Sequence, residues 1–151
     1  MTFTKLDPQS HKGVTDVWLT PLWIIDNLGN DFDLDPCGEK HHKTANHIYT
    51  TKGLESDWFG KVWLNPPYSE LSKWLDKLSE HNNGIALIFN RMDTKTLQKH
   101  VRLAQSVYFI EGRIKFLTKE LKEKHNAGTG SMLLSYGFTP DYSKFRGWQA
   151  K

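Results

Sequence analysis

Two consecutive prolines, Pro66 and Pro67, stand between an apolar run, Val62-Trp63-Leu64, and a stretch with helical periodicity. A proline locks φ and removes the backbone N–H, so a strand through 62–64 cannot continue past Asn65. The residue before each proline is pushed toward extended geometry. Ser69 is of a type that caps helices. Leu71, Trp74, Leu75 and Leu78 recur at i, i+3, i+4 and i+7, one apolar helical face. The segment reads as strand, stiff exposed corner, then helix over 70–80. Ligands bind at the carboxyl ends of strands in open α/β sheets. Asn65, Pro66, Pro67 and Tyr68 therefore occupy a position suited to chemistry.

The same alternation runs through the middle of the chain. Thr20 is placed to cap a helix with Pro21 in its first turn and Gly29 past its end. A short strand ends at Asp35-Pro36. Residues 39–58 are polar, with a single helical turn expected near 44–46. "GIALIFN" (84–90) is the clearest buried strand. Asp93 can cap a helix through about residue 104, with Leu97, Val101 and Ala104 facing inward. Residues 106–117 are strand-like and broken or bulged at Gly112. A charged, glycine-rich segment, 119–130, reads as a mobile loop, 131–138 as a last strand, and the tail is polar. The alternation predicts an α/β fold, mostly a parallel sheet with helices on both faces. The final two strands, joined only by a loop, are expected as an antiparallel pair at one edge.

With 151 residues the chain is expected to form one domain, 16–151, after a flexible N-terminal arm, 1–15. Apolar residues make up 38% and aromatic residues 13%, enough for a real core. No apolar run reaches membrane-spanning length, and the N-terminus lacks a signal-peptide pattern. Cys37 is the single cysteine, so no intrachain disulfide can form, and a reducing cytoplasm is the simplest compartment. A net charge of +3 permits nucleic-acid binding without requiring it. Cys37, His41, His42 and His47 give C-x3-H-H-x4-H, which matches no common zinc spacing. They read as solvated histidines near a site, and no metal is expected.

In chain order, "DVWLTPLW" (16–23), "FDLDPCG" (32–38), "GLESDW" (53–58), "VWLNPPYS" (62–69) and "GRIKF" (112–116) resemble the phage-type DNA N-6-adenine methyltransferase family, the Dam family of phages and prophages. The resemblance spans roughly residues 16–136. It implies a single Rossmann-like methyltransferase domain that uses S-adenosylmethionine and extrudes adenine from DNA. Asn65, Pro66, Pro67 and Tyr68 would be catalytic. An adenine amine is conjugated with its ring and is a weak nucleophile. The Asn65 side-chain oxygen and the Pro66 carbonyl would accept its two hydrogens, Pro67 would stiffen the corner, and Tyr68 would stack on the base.

The resemblance also assigns the cofactor. Asp35, with Pro36 and Cys37, would hold its amino group or ribose. Asp57 and Trp58 would bind its adenine, and Trp18, Thr20 and Pro21 would close over its methionine end, with Asn65 alongside. Asp57 also reads as a turn cap and Trp58 as a core aromatic; Trp63 and Trp74 read as core. Only Gly38 follows "DLDPC", where many methyltransferases carry several glycines. No long insertion suggests a separate target-recognition domain, so relaxed or very short sequence recognition is expected. Tyr68, Ser69, Arg91, Arg113, Lys115, Lys119, Lys122 and Lys124 are the expected DNA contacts. The lysines alternate with glutamates and read equally as a solvated face. Arg113 reads equally as part of an ion pair. Two other functions fit the same corner: methylation of another planar amine, in a protein glutamine or an RNA base, and a non-catalytic DNA-binding relative. A homodimer could supply the grip on DNA that a recognition domain gives, and the family resemblance implies a role such as protecting phage DNA from restriction in a bacterial host.

Overall fold

The computed structural model describes residues 18–123 and 128–151. The expected N-terminal arm and Lys124 lie outside the described residues. The described residues form three α-helices and seven strands: α1 (Leu22–Asn27), β1 (Leu34–Asp35), β2 (His47–Ile48), β3 (Val62–Leu64), α2 (Leu71–His81), β4 (Gly84–Phe89), α3 (Lys95–Leu103), β5 (Ser106–Ile110), β6 (Ser131–Tyr136) and β7 (Gly147–Gln149). The strands form one sheet in the order β2-β1-β3-β4-β6-β5-β7.

β2, β1, β3 and β4 are mutually parallel, and α2 provides the crossover from β3 to β4. The other half is antiparallel. β6 pairs with β4 over six residues and with β5 on its other side, and β7 pairs with β5. The expected antiparallel pair exists, but it is not the edge. β6 lies between β4 and β5, because its six buried residues pair along the whole length of β4, five of whose six residues are buried. β7, in the polar tail beyond the expected last strand, forms the edge.

Strand alternation divides the core. Trp63, Ile85, Leu87 and Leu133 face α1 and the aromatic residues Phe32, Tyr142 and Phe145. Val62, Leu64, Ala86, Ile88 and Leu134 face α2 and α3 through Trp74, Leu75, Leu78 and Leu97. Helices thus cover both faces, and Trp63 and Trp74 are core residues, 0% and 1% exposed.

Three expected helix caps are displaced. α1 begins after Pro21, which has no side-chain cap bond, because the Thr20 hydroxyl is used elsewhere. Ser69 lies inside a 3-10 turn, Tyr68–Glu70, that precedes α2. Thr94 caps α3 by accepting from the Leu97 N–H, while Asp93 pairs with Arg91. No helix forms at 44–46; the chain bends there and enters β2, which hydrogen-bonds alongside β1. Gly112 ends the strand-like stretch as expected, with φ at +76°.

Candidate functional site

Because β1, β3 and β4 run parallel and side by side, their carboxyl ends share one rim of the sheet. Asp35, Asn65 and Asn90 leave the strands there. The start of β6 reaches the same rim, where the Gly130 carbonyl accepts from the Asn90 N–H at 2.8 Å. Two further segments cross it. Leu19 and Leu117 exchange a pair of backbone hydrogen bonds, each 2.9 Å, which lays residues 18–21 across the rim beside 116–117.

Asn65 is half-buried beneath this strap. Its amide nitrogen donates to the Trp18 carbonyl and to the Thr20 hydroxyl, the latter at 3.2 Å. A backbone carbonyl can only accept, so the NH2 group must face Trp18. Both amide hydrogens are thereby committed, and Oδ1 is the side chain's remaining hydrogen-bonding atom.

Pro66 and Pro67 are buried rather than exposed. The corner is stiff but inserted into the fold, and Asn65, Pro66 and Tyr68 line a cavity with Trp18, Leu87, Ile88, Phe89 and Phe116. Tyr68 stacks on Phe89 with ring centres 4.8 Å apart and planes 11° from parallel. Trp18 meets Phe89 and Phe116 edge-on at 5.6 and 5.7 Å. The result is an aromatic box around about 10 Å³ of space, room for about one water molecule. The Tyr68 hydroxyl accepts from the Phe89 N–H. Burial pushes its pKa up, against the lowering effects of that bond and of Arg91, so the phenol stays neutral. One face of Tyr68, expected to be open to a base, is therefore already occupied by Phe89.

The cofactor candidates fall into two groups. Asp35 is 3% exposed, and its carboxylate accepts from the Cys37 N–H at 3.0 Å and from the Thr44 hydroxyl. It organises the loop that follows β1. Cys37 is buried in that loop. A Cβ on Gly53 would lie 1.9 Å from the Pro36 carbonyl oxygen, so glycine is what lets the 53–58 segment approach this loop.

From there the segment runs along α2. Trp58 stacks on Trp74, takes the Lys77 ammonium at 5.3 Å and meets His81 edge-on, all on one helical face. Trp58 also donates from its ring nitrogen to the Gly53 carbonyl at 2.8 Å. Much of this indole anchors its own segment. Asp57 is exposed, and its backbone carbonyl accepts from the Tyr49 hydroxyl at 2.8 Å. Its carboxylate makes no hydrogen bond or ion pair among the described residues.

Of the expected DNA contacts, Ser69, Arg91, Arg113, Lys115, Lys119 and Lys122 are exposed. Arg91 pairs with Asp93 at 3.5 Å and is close enough to act on the Tyr68 phenol. Arg113 and Lys115 line an open groove with Pro21 and Trp23, in which Glu111 and Glu123 also take part. Among the described residues, no cluster of three or more His, Cys, Asp or Glu side chains could hold a metal. No described helix is long and apolar enough to cross a membrane.

The expectation of solvated histidines fails at His42, which is 4% exposed and bonded from Nε2 to the Thr20 carbonyl at 2.7 Å. His41 is exposed and reaches the Lys119 carbonyl. His42, Phe89 and Phe116 are the rim residues that sequence reasoning missed. Phe89 had a signal, an aromatic closing a buried run just before Asn-Arg. His42 had none, because its partner lies 22 residues away.

A family model described as DNA N-6-adenine-methyltransferase (Dam) matches residues 8–143. A protein of Escherichia phage T1 named "DNA N-6-adenine-methyltransferase" is 28% identical over 137 residues, covering 83% of this chain and 56% of the phage protein. The chain thus spans about half the length of this curated relative. No solved structure gives a significant match.

Proposed function

The chain belongs to the DNA N-6-adenine-methyltransferase (Dam) family, and we propose that it transfers a methyl group from S-adenosylmethionine to the exocyclic N6 amine of adenine in DNA. One observation carries this reading: the Asn65 NH2 is committed to Trp18 and Thr20, which leaves an acceptor on a residue that lines the aromatic cavity. Asn65 Oδ1 accepts one hydrogen of the target amine and the Pro66 carbonyl the other, which favours a pyramidal nitrogen with a directed lone pair. Pro67, lacking an N–H, keeps a competing donor out of the corner. Acceptors fixed where positive charge develops stabilise the transition state more than the ground state.

Trp18, Tyr68, Phe89 and Phe116 offer faces and edges to a flat base extruded from the helix. The cavity is too small for a purine as it stands, so base entry parts the Tyr68–Phe89 stack while the 18–21 strap keeps its hold on Asn65.

S-adenosylmethionine, when bound, supplies an electrophilic methyl group on a sulfonium. The residues fit such a molecule. The loop after β1, which carries Asp35, Pro36 and Cys37, brings the Pro36 carbonyl against Gly53 with no space for a side chain between them. The Asp57 carboxylate beside Trp58 is a ready acceptor for an amine. Trp18 and Pro21, on either side of the buried Thr20, close the same rim. These groups would hold a ribose, an amino group and an adenine at the carboxyl ends of parallel strands, as a Rossmann-like domain does. Ser69, Arg91, Arg113, Lys115, Lys119 and Lys122 would meet the DNA, chiefly at phosphates, which position the duplex without reading it. Recognition is then relaxed or short, and the site of action is the cytoplasm of a bacterial host.

The test is direct. Unmethylated plasmid is incubated with the protein and methyl-labelled cofactor, digested, and analysed for N6-methyladenine. Label in a protein glutamine or in RNA would move the reading to another planar amine. Cofactor binding with no label in any of the three would make the chain a non-catalytic relative. Sequencing the modified adenines separates dense modification, expected here, from a single strict motif.

A further inference from the structure

Thr20 was expected against the cofactor, yet its side chain is 2% exposed and its hydroxyl accepts from the Asn65 amide. We infer that Thr20 is a positioning residue for Asn65, and that His42 holds Thr20 in that role; the inference rests on the reading of Asn65 as the acceptor for the target amine. One acceptor fixes the place of an amide nitrogen. Two acceptors fix the amide plane, and with it the direction in which Oδ1 points. The Trp18 carbonyl supplies the first and the Thr20 hydroxyl the second, from neighbouring positions of one strap.

The strap is itself tied at two points. The Leu19–Leu117 pair holds its middle. The buried His42 ring holds the Thr20 carbonyl. That carbonyl can only accept, so Nε2 carries the hydrogen. His42 belongs to the loop after β1, which the Asp35 carboxylate organises through Cys37 and Thr44. The loop expected to meet the cofactor and the amide expected to meet the amine are therefore joined through His42 and Thr20. A catalytic group acts at full rate only when its supporting partners hold its direction.

Thr20→Val and Thr20→Ser test this, since valine keeps the shape and loses the oxygen, while serine keeps the oxygen and loses a methyl. For each, kcat and the KM values for cofactor and DNA are measured. The side-chain NH2 resonances of Asn65, identified by their loss in Asn65→Ala, are followed by 15N NMR. In Thr20→Val, kcat falls by about tenfold or more while the cofactor KM stays within about twofold. The Asn65 NH2 hydrogens exchange faster with water, and Thr20→Ser recovers most of the rate. His42→Ala shifts kcat in the same direction, and its effect is less than additive with Thr20→Val. A raised cofactor KM with kcat unchanged in Thr20→Val would overturn the inference in favour of a cofactor contact. So would unchanged Asn65 resonances, or a Thr20→Ser variant as impaired as Thr20→Val. Should the parent protein transfer no methyl group, the functional reading falls, while the resonances still decide whether Thr20 holds Asn65.

Discussion

Two polar networks stand apart in the structure, one on a face of the sheet and one at its carboxyl rim, and they end differently. On the face covered by α2 and α3, His100 is fully buried, with Nε2 on the Asp76 carboxylate at 2.9 Å and Nδ1 on the Tyr136 hydroxyl at 3.0 Å. Lys99 adds a second contact to Asp76 at 2.9 Å. The carboxylate can only accept, so Nε2 bears the hydrogen, and the neutral ring accepts from Tyr136 at Nδ1. Every atom of the ring that can hydrogen-bond is matched, and the network joins α2, α3 and β6. At the rim, the same matching logic consumes the hydrogens of Asn65 but leaves its oxygen over, beside a cavity. A closed network holds the fold together; a network with one directed atom to spare is equipped to act on something else.

Asn65→Ala gives the largest contrast. Methyl transfer is expected to fall by about a hundredfold to a thousandfold, while cofactor binding changes little and the fold persists with a loss of about 1–3 kcal/mol for the stranded Trp18 and Thr20 partners. Unfolding of this variant at ordinary temperature would erase the distinction between the two networks. His100→Ala is the mirror experiment. It strands the Tyr136 hydroxyl and opens a void, and denaturant titration should show a loss of about 3 kcal/mol, with the folded fraction retaining its specific activity.

Tyr68→Phe is smaller. The ring still stacks on Phe89, but the Phe89 N–H loses its acceptor, costing about 1–2 kcal/mol, and the rate should drop far less than in Asn65→Ala. The smallest effect is on pH dependence. Burial lowers the His100 pKa below its ordinary 6.5, against the raising effect of Asp76. The unfolded chain therefore binds this proton more readily than the folded one. The stability contributed by neutral His100 is complete above about pH 6.5 and is lost as pH falls from there toward the folded value. Unfolding curves at pH 7.5 and 5.5 should differ in that direction, and the His100→Gln variant should lose this part of the difference.

The strand, corner and helix around Asn65 were readable because each signal is local. β3 falls on the three apolar residues before the prolines, and α2 follows the Leu71-Trp74-Leu75-Leu78 face within one residue of expectation. β4 lies within the run of apolar residues that marked it. β2 and β7 carry no such mark. His47 is exposed, all three residues of β7 are exposed, and both strands exist because neighbours offer hydrogen-bonding edges. The three displaced caps have a similar origin, since several oxygen-bearing side chains compete near each helix start and packing selects among them. His42 was misjudged because its burial depends on a residue 22 positions away in the chain.

Local chemistry along the chain settled that a rigid corner follows a buried strand, and that an amide and a phenol flank it. Proline geometry and helical period act over a few residues and leave little freedom there. Folding settled which way the amide points. That direction depends on a carbonyl and a hydroxyl more than 40 positions away, brought under the same rim by the Leu19–Leu117 pair and by His42. Hydrogen-bond direction is a property of partners in space, and no spacing along the chain encodes it.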